Sequence, residues 1–333
     1  MIMTKVNIKY TSQCKVSLLL IAAFLQRFTC QLLQNNERHS KSVFHFPVVS
    51  VPEDDAYLCI AIPVADLDGS YFVGSRIDAI PNIQHHVSLS VCEQNDGVMA
   101  QTNAWNCINS EVICKKGKNI LLDTWSRHTK YHIDTMLPKD VGIPLGAKGR
   151  LNTFYLQAHF KNKISDHSRL QSSPINLTIY TTKERRPYSI QQIVFSIGGY
   201  IPPLQYAFKT ETACLWSKPP VQLYLYSVHT HNYGRLVEGY LKRNNSIITL
   251  AHDNPQRKNT EWSAFQNGPI EMKTGDIVGH ACIYRNLENK VIMFGPKDSN
   301  EMCAFVLAFK YKIEDATFFQ HSLSCDGSAQ IRG

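Results

Sequence analysis

Thirteen histidines are spread over the 333 residues, and three groupings among them have spacings that could hold a metal. The first is Gln84-His85-His86-Val87. Successive strand residues point to opposite faces, so adjacent imidazoles meet one ion only at a strand end or a bulge. Otherwise the pair is surface or structural. The second is His159, in Leu156-Gln157-Ala158-His159-Phe160, a lone imidazole that also reads as a satisfied core residue. The third is Tyr226-Ser227-Val228-His229-Thr230-His231. Residues i and i+2 of a strand share a face, so both imidazoles can reach one ion. Two exposed polar positions on an alternating strand is the competing reading. Met302, in Asn300-Glu301-Met302-Cys303, is core filler or a soft ligand. A thioether favours Cu(I), while imidazole tolerates both oxidation states, so histidines with a methionine suit a copper that cycles. No carboxylate pair for acid–base chemistry stands out.

The elements that must carry these side chains read as β. Tyr57–Val64, Val87–Cys92, Thr153–Phe160, Asn176–Thr181, Gln191–Ile197, Gln222–Val228, Ser246–Leu250 and Phe305–Tyr311 are short runs rich in β-branched and aromatic residues. Asp96-Gly97, Asn267-Gly268 and Lys273-Thr274-Gly275 punctuate them. Long helical periodicity and fixed-period repeats are absent, and the pattern predicts antiparallel sandwiches. Thr181–Arg186 followed by Pro187 reads as an interdomain linker, giving domains 43–184 and 185–328. One large sandwich with a surface loop there is the alternative.

Composition sets the compartment. Lys5, Lys9 and Lys15 precede the apolar run Val16–Leu25, so residues 1–30 read as a signal peptide. The run is short for a membrane span, though an N-terminal anchor is the alternative. No other run reaches spanning length, so no stable membrane insertion is expected. Signal removal lowers the formal charge from +8 to +4, too mild and scattered for a nucleic-acid partner. Eight cysteines then remain: Cys59, Cys92, Cys107, Cys114, Cys214, Cys282, Cys303 and Cys325. An even number behind a signal suggests four disulfides of undetermined pairing, and without a C-x-x-C pair zinc is the weaker reading. Asn176-Leu177-Thr178 and Asn244-Asn245-Ser246 are glycosylation sequons. The expected destination is the extracellular space or a secretory-granule lumen.

In order along the chain, several segments resemble one family. These are Tyr57-Leu58-Cys59, His85-His86 with Cys92, Leu137-Pro138-Lys139-Asp140-Val141-Gly142 and Leu156-Gln157-Ala158-His159. His229-Thr230-His231 with Gly234, Asp253-Asn254-Pro255-Gln256, Thr274-Gly275-Asp276-Ile277 and Glu301-Met302-Cys303 follow. Together, over roughly residues 45–326, they are similar to the ascorbate-dependent type II copper monooxygenases, and among them to peptidylglycine hydroxylases. The resemblance implies two β-sandwich domains, each with a copper, facing across a cleft. It implies that His85, His86 and His159 hold an electron-transfer copper. It places the oxygen-binding, catalytic copper on His229, His231 and Met302. It also implies pairings Cys59–Cys107, Cys92–Cys114, Cys214–Cys325 and Cys282–Cys303. A fifth family disulfide has no partners here, Ser172 or Ser173 standing in its region.

The implied reaction consumes ascorbate and molecular oxygen and hydroxylates the α carbon of a C-terminal glycine in a glycine-extended peptide. A separate lyase would complete amidation. The family's carboxylate clamp is an arginine, an asparagine and a tyrosine, and its positions here are Ser227, Ala304 and Val306. A serine cannot replace a bidentate guanidinium. Arg235 or Lys310 could supply another cation. A phenylethylamine-type substrate, or a non-catalytic secreted binding protein on the same fold, are the other readings. Oligomeric state is not legible.

Overall fold

A computed structural model describes residues 39–64, 67–94, 103–107, 114–126, 134–146, 151–165, 175–256, 262–295, 299–319, 323–325 and 327. The signal-peptide reading, Asp96-Gly97, and Ser172 and Ser173 lie outside them. No helix among the described residues is long and apolar enough to cross a membrane.

Ten strands build a first sandwich: β1 (Ser40–His45), β2 (Ala56–Pro63), β3 (Tyr71–Asp78), β4 (His86–Gln94), β5 (Trp105–Asn106), β6 (Cys114–Ser126), β7 (Thr135–Met136), β8 (Ile143–Pro144), β9 (Thr153–Phe160) and β10 (Asn176–Thr182). One sheet runs β1-β10-β3-β7, with β8 also on β3; the other runs β5-β2-β9-β4-β6. All pairings between these strands are antiparallel. Strict alternation explains the packing of β9. Phe154, Leu156, Ala158 and Phe160 enter the core between the sheets. Tyr155, Gln157 and His159 are therefore turned to the other face. Truncating Phe154 or Phe160 to alanine would cost about 3–5 kcal/mol, the usual range for a buried phenylalanine.

The second sandwich uses β11 (Tyr188–Ser196), β12 (Tyr200–Ile201), β13 (Gln205–Leu215), β14 (Val221–His229), β15 (Gly234–Arg243), β16 (Ser246–Asp253), β17 (Ser263–Ala264), β18 (Ile270–Met272), β19 (Ile277–Asn286), β20 (Ile292–Met293), β21 (Ala304–Lys312) and β22 (Leu323–Ser324). Its sheets run β17-β14-β21-β11-β22 and β13-β19-β15-β16, with β12-β20 as a separate pair. A second core fills it, from Ile193 and Phe195 to Phe309 and Phe319. Two cores on one chain make two layered domains.

The polar stretch between the two is less loose than its composition suggests. Arg186 is buried and donates to the Lys139 carbonyl. A Cβ on Gly142 would meet Arg186 Cγ at 2.6 Å, so only glycine admits that guanidinium stem. On β11, Ile190 belongs to the first core and Ile193 to the second. Lys310 of β21 reaches Asp140 at 3.1 Å and lies 4.7 Å over the Tyr188 ring. The junction is a packed seam.

Asp123 rivets the first sandwich. Its carboxylate accepts from Ser75 Oγ (2.8 Å), Thr135 Oγ1 (3.2 Å) and the Thr124 N–H (2.9 Å), joining β6 to β3 and β7. Burial raises its pKa to about 6, against those three hydrogen bonds. The folded state then holds a proton that the unfolded state has released, from about pH 4 to about pH 6. That stabilisation is complete below the unfolded value and disappears as pH rises through about 6. The displacement corresponds to about 3 kcal/mol. Urea midpoints should therefore fall over that window, and Asp123→Asn should flatten the fall. An unchanged slope in the variant would assign it to other groups.

Candidate metal centres

The first histidine grouping forms where β4 begins. His86 and His159 are register partners on β4 and β9, and His159 and Tyr57 are partners on β9 and β2. These three side chains thus stand in one row on the face away from the core. His85 precedes the strand, its N–H donating to the His159 carbonyl at 2.8 Å. Outside the pleat, its ring turns toward His159, so the strand-end condition for adjacent histidines is met.

The three Nδ1 atoms converge. His159 Nδ1 lies 3.2 Å from His85 Nδ1 and 3.3 Å from His86 Nδ1. Tyr57 stacks on His159 with ring centroids 4.2 Å apart and planes 3° from parallel. On the far side of that ring, Nε2 stands 3.4 Å from Asp55 Oδ1. A carboxylate at one ring nitrogen favours the proton there and leaves the other a lone pair. Burial, then positive charge on His159, His85 and His229, lowers His86 to about 3. Neutral imidazole is the metal-binding form. This donor set fits a borderline-soft ion such as copper. That His229 contributes to the effect places the third grouping within electrostatic reach of the first.

The third grouping departs from the expected geometry. His229 ends β14, while Thr230 and His231 lie beyond it, so the pleat does not align the two imidazoles. A held turn does so. Their centroids are 5.2 Å apart, at 80°. Glu301, fully buried, accepts from the backbone N–H of His231, of Tyr233 (2.7 Å) and of Met302 (2.7 Å). Gln256 Nε2 donates to the His231 carbonyl and to the Gly234 carbonyl (3.0 Å). A Cβ on Gly234 would sit 2.1 Å from Thr230 Oγ1, which is why glycine follows the tripeptide. His231 Nδ1 is 3.0 Å from the Asn300 carbonyl. A carbonyl only accepts, so the proton is on Nδ1 and Nε2 is left to ligate.

Met302 is fixed along its backbone. Besides the Glu301 bond, Tyr284 Oη donates to its carbonyl at 3.0 Å. The next residue, Cys303, is bridged to Cys282. Ala304, two residues on, pairs with His229. Glu301, Gln256 and Asp55 were not singled out as positioning groups from sequence. The only signal was that Glu301 and Gln256 fall within family-like segments.

The disulfides Cys59–Cys107, Cys92–Cys114 and Cys282–Cys303 are formed as expected. Cys214 belongs to the second core and Cys325 packs against it. Buried His280 faces Cys303 Sγ at 3.0 Å, and exposed His252 lies 3.3 Å from Glu238. His128 and His132 lie outside the described residues. Of the sequons, Asn244 sits at an exposed hairpin tip, whereas Asn176 in β10 bonds His45 Nδ1 at 2.7 Å.

The candidate substrate positions are neighbours. Val228 and Phe305 point into the core, so the alternate residues Ser227, His229, Ala304 and Val306 share the outer face. Val194 of β11 pairs with Val306 on that face and is 39% exposed. Lys310 is turned to the seam with Asp140, and Arg235 donates to the Asn232 and Gly234 carbonyls at 2.9 and 2.8 Å. Lys310 is thus committed to a carboxylate, whereas Arg235 is exposed and spends only Nη1, on neutral carbonyls that leave its charge in place.

Comparison with known proteins agrees with this architecture. The N-terminal domain of copper type II ascorbate-dependent monooxygenases matches residues 43–167, and their C-terminal domain matches residues 189–324. Peptidyl-glycine alpha-amidating monooxygenase A of Xenopus laevis is 26% identical over 276 residues, covering 82% of this chain and 28% of that protein. The Rattus norvegicus peptidylglycine alpha-amidating monooxygenase is 24% identical over 275 residues, 82% of this chain and 27% of that one. The chain thus spans under a third of the length of these relatives. A putative DBH-like monooxygenase protein 2 of Homo sapiens is 23% identical over 281 residues, 78% of this chain and 54% of that one. With both domain models matched in order over most of its length, the chain belongs to the copper type II ascorbate-dependent monooxygenases.

Proposed function

We propose that this monooxygenase hydroxylates the α carbon of C-terminal glycine in glycine-extended peptides, as the first step of amidation in the secretory pathway. The observation that carries the reading is the pairing of two donor sets, one per sandwich, in a chain similar to the amidating enzymes over 82% of its length. In this reading His85, His86 and His159 hold one copper, and His229, His231 and Met302 hold the other. Bound copper supplies one-electron transfer and the reductive activation of dioxygen. Substrate C–H, dioxygen, two protons and two electrons from ascorbate give the hydroxylated product and water. The Asn300 carbonyl fixes the His231 tautomer, and the Asp55 carboxylate 3.4 Å from His159 Nε2 favours the proton on that side of the ring, so that each offers a lone pair from its other nitrogen. Glu301 holds the His231 turn against the Met302 segment. A separate lyase acting on the product, glycans on Asn176 and Asn244, and a Cys214–Cys325 bridge belong to the same proposal.

One observation favours a second reading. Ser227, Ala304, Val306 and Val194 give the face beside His229 an uncharged floor. A carboxylate leaving water for such a surface loses hydration without a counter-charge, at a cost of several kcal/mol. An amine substrate of the phenylethylamine type has no carboxylate to place.

The discriminating measurement is ascorbate-driven oxygen consumption by the copper-loaded, secreted protein against a dansylated glycine-extended peptide and against tyramine. Hydroxyglycine product from the peptide alone is the expected result. Turnover of tyramine alone would transfer the site to the amine reading. Binding of both coppers with turnover of neither would remove both substrates.

A further inference from the structure

A cluster of exposed apolar side chains lies on the second sandwich, backed by the Glu301 segment, whose N–H donates to the Met293 carbonyl at 2.9 Å. Tyr200, Leu204, Tyr206, Leu287, Val291 and Met293 are 55%, 64%, 72%, 57%, 49% and 53% exposed. They come from two short stretches of sequence, 200–206 and 287–293, that the fold brings together. Tyr200 and Met293 are register partners in the β12–β20 pair. The Leu204 N–H donates to the Glu288 carbonyl at 3.1 Å, and Gln205 pairs with Asn286. Asn286 Nδ2 donates to the Pro202 and Lys290 carbonyls at 2.8 and 2.9 Å, locking the two turns to each other. Leu204 sits at a φ of 54°, a conformation that large side chains rarely adopt.

Scattered single apolar residues on a surface need no explanation, but a contiguous set of six large ones is a recognition feature. From their exposures, the six offer on the order of 700 Å² together, close to the ~800 Å² that each partner buries in a standard interface. The rim carries both signs. Lys290 pairs with Glu288 at 2.7 Å, and Arg285 lies 4.7 Å over the Tyr206 ring. A two-fold interface sets the same patch against itself, so its rim must complement its own copy. Adjacent cation and anion do that, whereas docking on an anionic bilayer would call for a rim of cations alone.

We propose that this patch is a two-fold interface at which a second copy of the chain docks, making the monooxygenase a homodimer through the ends of its second sandwiches. The apolar centre is Tyr200, Leu204, Tyr206 and Leu287, ringed by Lys290, Glu288 and Arg285. Tyr206 and Leu287 are outside the proposed ligand set, so their substitution tests assembly without removing a copper ligand.

The test is sedimentation velocity of the full secreted protein over a wide concentration range, with the double variant Tyr206→Glu/Leu287→Glu and the off-patch control Ile247→Glu. Ile247 is 50% exposed and belongs to β16 on another edge. The expected result is a dimer for the parent and the control, and at least a tenfold weaker dimer for the double variant. The variant should retain two coppers per chain and a parental circular-dichroism spectrum, which separates lost assembly from lost folding. A parent that is monomeric throughout would overturn the proposal, as would a dimer that survives the double change. Flotation with phosphatidylcholine–phosphatidylserine vesicles covers the remaining occupant. A monomer that floats, and ceases to float in the double variant, would make the patch a membrane contact.

Discussion

Met302→Ile should abolish turnover while leaving the fold and the first histidine cluster intact. Isoleucine is apolar and of similar volume, so the packing cost should stay within about 1.5 kcal/mol. What it removes is the thioether. A soft sulfur donor favours the reduced ion, and two imidazoles alone do not reproduce that preference. Oxygen consumption with ascorbate should fall at least about a hundredfold, some 2.7 kcal/mol of barrier. Copper content should drop from two per chain toward one. In the proposed assignment the residual copper would sit on His85, His86 and His159, which share no backbone segment with Met302. Metal analysis and kinetics of the same preparation check both halves. Near-parental turnover would remove Met302 from the ligand set. Loss of both coppers would mean that the substitution acted through the fold.

Different residues were legible in the sequence for different physical reasons. Thr153–Phe160 could be read to the residue, because a central strand between β2 and β4 buries both faces. The long strands β6, β13, β15 and β19 were not singled out. β6 opens with Cys-Lys-Lys-Gly-Lys, which reads as a solvated loop. β13 alternates exposed and half-buried residues over most of its length, so its apolar signal is diluted. β19 carries Gly279 and His280 in its interior, and β15 opens on Gly234. In each case the partner strands provide the reason for the conformation, and pairing across distant segments leaves little trace in a local window.

The histidines divide in the same way. His159 alternates with core residues, and strand periodicity already places it opposite them. It cannot reveal that Tyr57 and His86 are its neighbours, since that follows from register. For His229 and His231 the strand argument expected the two rings side by side, and they are, but through a turn and not the pleat. The spacing of two matters less than the turn, and the turn depends on a carboxylate seventy residues downstream of His231. Charge at the face beside His229 shows the converse. Ser227, Ala304 and Val306 were readable as departures, while the engagement of Lys310 by Asp140 and Tyr188 became visible only with the seam.

The turn argument gives the second large effect. Glu301→Gln should weaken copper binding at the His229–His231–Met302 centre by about 10- to 100-fold, the range for groups that orient ligands from behind. Both carboxylate oxygens are used: Oε1 for His231 and Met302, Oε2 for Tyr233. A glutamine keeps one acceptor and turns an NH2 toward the third N–H, so that two donors face each other in a fully buried site. Leaving one buried donor unsatisfied costs about 1–3 kcal/mol. The turn can relieve that cost by drawing away from the Met302 segment, and doing so separates the His231 ring from the methionine. Competition titrations with a Cu(I) chelator should show one weakened site and one unchanged site, and kcat should fall along with occupancy. Equal weakening of both sites would make Glu301 a general stabiliser of the fold. Parental affinity at both would mean that the His231 turn keeps its shape without the carboxylate.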